Sequence, residues 1–264
     1  MTAGVPEWLR PLVERVADVS AESITRFAPP DEGGRPSAVL VLFGENAPTA
    51  DGNGKVPGPD LLVLQRAAQM RKHAGQPAFP GGASDPEDTG PADTALREAR
   101  EEVGLDPASV RVVATMPELW IPVTGFVVTP VLAWWHSPHP VRPMQTEEVA
   151  RVERLPVAEL VDPANRVRVR HPSGYIGPAF AVRDMLVWGF TAGVLTAILE
   201  LAGWDQPWDP DRMVELPDEQ LESIPPERLA ALRRAQAADA GAQAAQSRAQ
   251  AAHSRRAQGV DAGD

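Results

Sequence analysis

Three glutamates, Glu98, Glu101 and Glu102, crowd into one short stretch of the chain beside Arg97. On a helix advancing about 100° per residue the three acids share one arc, next to an apolar arc of Ala95, Leu96, Ala99 and Val103. Arg97 stands four residues before Glu101 and can pair with it, whereas Glu98 and Glu102 are four apart and repel each other. Glu101 and Glu102 also fall in the last turn, where the negative end of the helix dipole disfavours acids by about a few tenths of a kcal/mol. A divalent cation between the carboxylates removes the conflict. Hard oxygen ligands suit Mg²⁺ or Mn²⁺, and such an ion keeps coordination positions open for phosphate oxygens. The chemistry within reach is cleavage of a diphosphate: the cation offsets phosphate charge and acidifies a water, and a spare carboxylate takes the proton.

The hexapeptide Arg97-Glu-Ala-Arg-Glu-Glu102 also describes an ordinary solvated face. Phe79-Pro-Gly-Gly82 shifts the balance, because Gly81 and Gly82 can bring bare backbone close to the acidic helix. There a carbonyl can complete a cation's shell, or amides can meet a phosphate; a plain turn after Pro80 is the alternative. Arg66 and Arg71 lie in the same Gly/Pro-rich region and offer fork-shaped donors for phosphate, although loop arginines are also commonly solvated charges. His73 can touch a substrate there, but a lone loop histidine usually has no catalytic duty.

These residues need a scaffold. Residues 38–43 and 61–64 are short apolar runs that read as strands, joined by a long loop over 46–60. A Gly/Pro-rich connection over 69–91 feeds a helix over 91–103, with Gly104 placed to cap it. Strands are expected again at 110–114 and 125–134, and a further strand over 167–175 enters a turn at 172–174. Residues 182–201 read as one long, mostly buried helix, and residues 6–27 as an amphipathic helix carrying Trp8, Leu9, Leu12, Val13 and Val16. Trp120, Trp134, Trp135 and Trp188 are assigned to packing, since large aromatics in strands and buried helices normally serve the core. The organisation is a lead-in over 1–34, a domain over 35–205, and a tail over 206–264, Pro-rich and then Ala/Gln/Arg-rich, partly helical or disordered.

The stretch from Gly82 to Leu105 resembles the Nudix box: Gly, five residues, Glu, seven residues, then Arg-Glu-aliphatic-x-Glu-Glu-x-Gly-aliphatic. Arg97, Glu98, Ala99, Glu101, Glu102, Gly104 and Leu105 stand at matching places. Gly82 lies fifteen residues before Arg97 rather than fourteen, and Asp88 stands near the first Glu; one extra loop residue explains both. Upstream, Leu62-Val-Leu-Gln-Arg66, Arg71, Gly75 and Phe79-Pro-Gly-Gly82 are similar to the signature of the coenzyme A pyrophosphatase branch, with Leu64 and Ala67 where that signature carries Thr and Ser. The resemblance covers about residues 35–203. It implies an α/β fold, a Nudix-type α/β/α sandwich with a mixed β-sheet. It implies Glu98 and Glu102 as principal ligands of Mg²⁺ or Mn²⁺, with Glu101 assisting and Arg97 orienting the acids. Glu148, or else Glu147, is the candidate further carboxylate. Arg66, Arg71, Gly75, Phe79, Gly81 and Gly82 are the implied substrate contacts. The implied substrate is coenzyme A or an acyl derivative. ADP-ribose, a dinucleotide or an oxidised nucleotide is the alternative, as is a non-catalytic nucleotide-binding relative, which the intact acids disfavour.

Composition bounds the rest. In 264 residues, 43% are hydrophobic and 23% charged, which describes an ordinary globular chain. There is no cysteine, so disulfides and thiolate chemistry are excluded and any metal sits on oxygen or nitrogen. A net charge of −11 argues against a broad nucleic-acid surface but leaves small anionic partners open. The N-terminus lacks the pattern of a secretory signal, and the longest uncharged stretch, 185–199, is shorter than the roughly 20 apolar residues that span a bilayer. The expectation is a cytoplasmic protein taking a small nucleotide substrate, without membrane or nucleic-acid partners; a homodimer is left open.

Overall fold

The structure is a computed structural model that describes residues 4–25, 27, 33–70, 73–122, 124–171, 174–216 and 234. A single 3₁₀ turn at Glu7–Leu9 leads into α1 (Arg10–Val16) and α2 (Ala21–Ile24). Then come β1 (Arg35–Glu45), β2 (Pro59–Arg66), β3 (Pro77–Ala78), β4 (Gly81–Ala83) and α3 (Pro91–Val103). These are followed by β5 (Val110–Thr115), β6 (Leu119–Ile121), β7 (Phe126–Trp135), β8 (Val149–Pro156) and α4 (Val157–Val161). The described chain continues through β9 (Arg166–Arg170), β10 (Ile176–Val182), β11 (Met185–Val187), α5 (Gly189–Ala202) and β12 (Met213–Glu215).

Eight strands form one sheet with the path β3-β2-β1-β7-β5, to which β4 adds on β1, β6 on β7 and β8 on β2. β1 and β7 run parallel, from Arg35 opposite Phe126 to Phe43 opposite Trp134, and the remaining pairs are antiparallel, so the sheet is mixed. Alternation along β1 sends side chains to two cores. Ala38, Leu40 and Leu42 meet Ala95, Ala99 and Val103 of α3. Val41 and Phe43 meet Leu195, Ile198 and Leu199 of α5 together with Leu9, Leu12 and Val16. Helices on both faces of a mixed sheet make this the α/β sandwich that the resemblance implies. A second sheet, ordered β11-β10-β9-β12, was not foreseen.

Local punctuation explains α3. Pro91 opens it, and Gly104 closes it in the left-handed conformation, φ 70°, with its N–H on Arg100 O at 3.0 Å.

Two helix expectations need correction. The helix expected over 182–201 begins only at Gly189, because Arg183 and Asp184 both turn left-handed, φ 51° and 60°, and fold Met185–Val187 back onto β10. An apolar run of that length reads alike as a buried strand or a buried helix. The helix expected over 6–27 is broken into α1 and α2, yet Leu9, Leu12 and Val16 are buried as their spacing indicates.

Residues 206–216, at the start of the expected tail, pass Trp208, whose ring lies 4.9 Å from the buried guanidinium of Arg166, and then add β12 beside β9. Residues 217–233 and 235–264, the rest of that tail, lie outside the described residues, as do Pro172 and Ser173 of the expected turn. Among the described residues no helix is long and apolar enough to cross a membrane.

Candidate active site

The acidic helix meets the sheet edge at β4, which pairs with β1 through Gly82 opposite Ala38 and Gly81 opposite Val39. Glu102 is 7% exposed, and one carboxylate oxygen accepts the Gly81 N–H at 3.0 Å. Burial pushes its carboxyl from 4.5 up to about 7; the Gly81 N–H and the positive charge of Arg66 oppose this, and the negative charges of Glu98 and Glu148 add to it. Glu98 is also raised, first by burial, against the pull of Arg97. A Cβ on Gly82 would meet the Glu98 carboxylate, so glycine here leaves that side chain room for its present place against the strand. Glu101 sits further out, with its side chain 44% exposed.

Arg97 organises the loop that precedes the helix. Its Nε and Nη2 donate to the two carboxylate oxygens of Asp88, each at 3.0 Å, while Nη1 donates to Glu98 at 3.0 Å and Nη2 also to Ala83 O at 3.0 Å. The bond to Glu101, expected from the four-residue spacing, is the longest at 3.5 Å. The Arg97 guanidinium holds the Asp88 carboxyl well below the usual carboxylate range, helped by the Asp85 N–H. The buried Thr94 hydroxyl donates to Asp88 at 2.8 Å. Asp88 was noted in the sequence only for its place near the box's first acid, and that place was the available signal for its pairing with Arg97.

Arg66 reaches the same edge, with its Nε buried and, among the described residues, without a hydrogen-bond partner. Glu148 is exposed and follows Glu147 in the approach to β8; its charge acts on Glu102. His73, at φ 57°, places Nδ1 2.9 Å from Gln76 Oε1. Arg71 lies outside the described residues.

A cavity of about 430 Å³ opens from this edge, with Arg66, His73, Phe79, Gly81 and Gly82 in its wall. Phe79 serves the core at the same time, being 3% exposed. Gly75 does not line the cavity; it turns the loop at φ 66°, and its carbonyl accepts from Gln65. Trp120 and Trp188, assigned to packing from sequence, both line the cavity, whereas Trp135 is a core residue whose Nε1 donates to Ser109. His171 stacks on Trp188 at 5.6 Å.

Among the described residues no three His, Asp or Glu side chains form a ready metal cage. Arg97 holds Glu98, and the Gly81 N–H holds Glu102. The donor set nevertheless fits a hard divalent cation. Glu102 is buried and Glu98 half-buried, the charge of Glu98 acts on Glu102, burial disfavours both ionised forms, and the carboxylates offer oxygen donors.

The family model described as NUDIX domain matches residues 36–174. A protein of Citrobacter koseri named uncharacterized Nudix hydrolase NudL is 42% identical over 150 residues, covering 52% of this chain and 72% of that one. Its namesake in Escherichia coli K12 is 39% identical over 146 residues, covering 53% and 73%. A Nudix hydrolase structure from M. smegmatis, RenU, aligns at a TM-score of 0.43 and 19% identity over 67% of this chain and 91% of that one. The family match spans the acidic helix, both of its glycines and the parallel strand pair, and the chain belongs to the Nudix hydrolases.

Proposed function

We propose that the chain hydrolyses the diphosphate of coenzyme A or an acyl-coenzyme A, with residues 35–205 as the catalytic unit. The products are 3′,5′-ADP and the (acyl-)4′-phosphopantetheine. The observation that carries this reading is the junction of two environments at Gly81 and Gly82: the Glu98 and Glu102 carboxylates on one side, and on the other a cavity of about 430 Å³ with Arg66 in its wall. A diphosphate ester with a bulky organic arm suits both. Nudix hydrolases generally use divalent metal ions, and here Glu98 and Glu102 are the proposed ligands of Mg²⁺ or Mn²⁺, with Glu101 assisting.

Bound there, the ion supplies charge neutralisation at the diphosphate and a more acidic water. Arg97 fixes the Glu98 carboxylate through the bond at 3.0 Å and anchors the loop through Asp88. Glu148 is the proposed base: it is exposed and near enough for its charge to act on Glu102. Water oxygen bonds to phosphorus, the bridging P–O bond breaks, and the proton passes to the carboxylate. Gly81 and Gly82 let the phosphates approach bare backbone. Product analysis by mass spectrometry after incubation with coenzyme A and Mg²⁺ tests the reading; turnover of ADP-ribose with coenzyme A left intact would reject it.

Arg66 is the proposed phosphate clamp in the cavity wall. Arg66→Ala is expected to raise KM for coenzyme A roughly tenfold or more, as for loss of a charged hydrogen bond, and to raise it less for 3′-dephospho-coenzyme A. Equal effects on both substrates would remove Arg66 from recognition of the 3′-phosphate.

A further inference from the structure

The chain has 7 Trp, 6 Phe and 1 Tyr, and half of these rings line the one chamber that opens at Gly81 and Gly82. Trp120 on β6 and Phe126 on β7 are half-buried there, and neither belongs to any of the three apolar clusters among the described residues. Core packing therefore does not account for these two rings. Ile24 and Thr25 of the lead-in and Phe190 and Val194 of α5 help to close the wall, and both segments lie outside residues 36–174. That part of the chamber is this chain's own addition to the matched span. Among the described residues lining it, Arg66 is the sole Arg, Lys, Asp or Glu, and its charge acts on Glu102, which puts it at the carboxylate end.

We infer that the chamber binds the adenine ring of the substrate, with Trp120 as the stacking residue. The inference rests on the coenzyme A reading above and deepens it by stating which half of the molecule enters. Of the two arms on the diphosphate only the nucleoside carries an aromatic ring; aliphatic walls would serve the pantetheine arm equally well. The 3′-phosphate sits on the same ribose as the diphosphate, so Arg66 beside the carboxylates holds that sugar at the entrance and directs its base inward. From β4 to β6 is three strand spacings, roughly 14 Å between backbones, a distance that the indole and the nucleoside share. Polar groups of the wall are engaged with the protein itself: the Thr191 hydroxyl donates to Pro77 O at 3.3 Å, and His73 and Gln76 face each other at 2.9 Å. Recognition is therefore through the face of the base rather than its edge.

Calorimetric titration of the full chain in Mg²⁺ with 3′,5′-ADP and with 4′-phosphopantetheine tests the inference, alongside KM for CoA. Trp120→Leu, which keeps an apolar side chain but removes the ring, is expected to weaken 3′,5′-ADP binding roughly five- to hundredfold and to raise KM in parallel. Trp120→Phe is expected to stay within about threefold of wild type, and 4′-phosphopantetheine to bind all three proteins alike. Phe126→Leu replaces Trp120→Leu should that variant fail to fold. Unchanged 3′,5′-ADP affinity in the leucine variant, or no 3′,5′-ADP binding by wild type, overturns the inference, and cleavage of CoA in the same protein leaves the coenzyme A reading standing. A loss confined to 4′-phosphopantetheine puts the other arm in the chamber and also overturns it. Ring-dependent 3′,5′-ADP binding without cleavage of CoA supports the base site and overturns the coenzyme A reading.

Discussion

Glu102→Gln is expected to lower kcat by about a thousandfold while leaving the metal-free protein as stable as wild type or more so. The two effects diverge because the burial that would strengthen Glu102 as the proposed cation ligand makes its charge a liability without one. Glutamine keeps the shape and can still accept the Gly81 N–H, but brings no negative charge. Without a cation, burial pushes the carboxyl from an ordinary 4.5 up to about 7. Between those values the folded protein holds more protons than the unfolded chain. Its stabilisation is therefore full below the unfolded pKa and is lost as pH rises through the folded one. The shift corresponds to roughly 3 kcal/mol. Thermal melts without metal should show Tm falling over this window in wild type and less so in Glu102→Gln, and Mg²⁺ or Mn²⁺ should reverse the fall only in wild type. Identical pH profiles for the two proteins, or wild-type turnover in the variant, would remove Glu102 from the site.

Gly81→Ala is expected to cost roughly 2–5 kcal/mol and lower Tm on the order of 10 °C. Gly81 has φ 158°, and a Cβ there would lie 2.7 Å from Val39 Cα and closer still to Ala38 O, both backbone atoms of β1. Neither can yield without loosening the β1–β4 pairing that brings the Gly81 N–H to Glu102. Gly82→Ala provides the contrast. Its Cβ would meet the end of the Glu98 side chain, which can rotate away, so Tm should change by only a few degrees while turnover still drops. Differential scanning fluorimetry together with turnover rates separates the two. Equal melting temperatures in both variants would contradict the backbone argument.

The acidic helix was legible in the sequence because its signals are local: Pro91 at its start, Gly104 at its end, and an apolar arc beside the acids. The strands of the parallel pair were legible for the same reason. The hairpin of β10 and β11 was not, since a buried strand and a buried helix share the same apolar run and only the left-handed turn at Arg183 and Asp184 separates them. Nor was the chamber. Ile24, Trp120 and Trp188 are far apart in the chain, and no spacing rule joins them; their proximity is a product of topology. The pairing of Asp88 with Arg97 lay between these cases, visible in register but shifted by the extra loop residue.

α1 and α5 close one face of the main sheet, and both lie outside residues 36–174, the span that matches the family. Recognisable ancestry and physical autonomy therefore have different boundaries in this chain. A fragment trimmed to the matched span would leave Val41, Phe43 and Leu132 facing water, an adhesive surface where the intact protein keeps an interior.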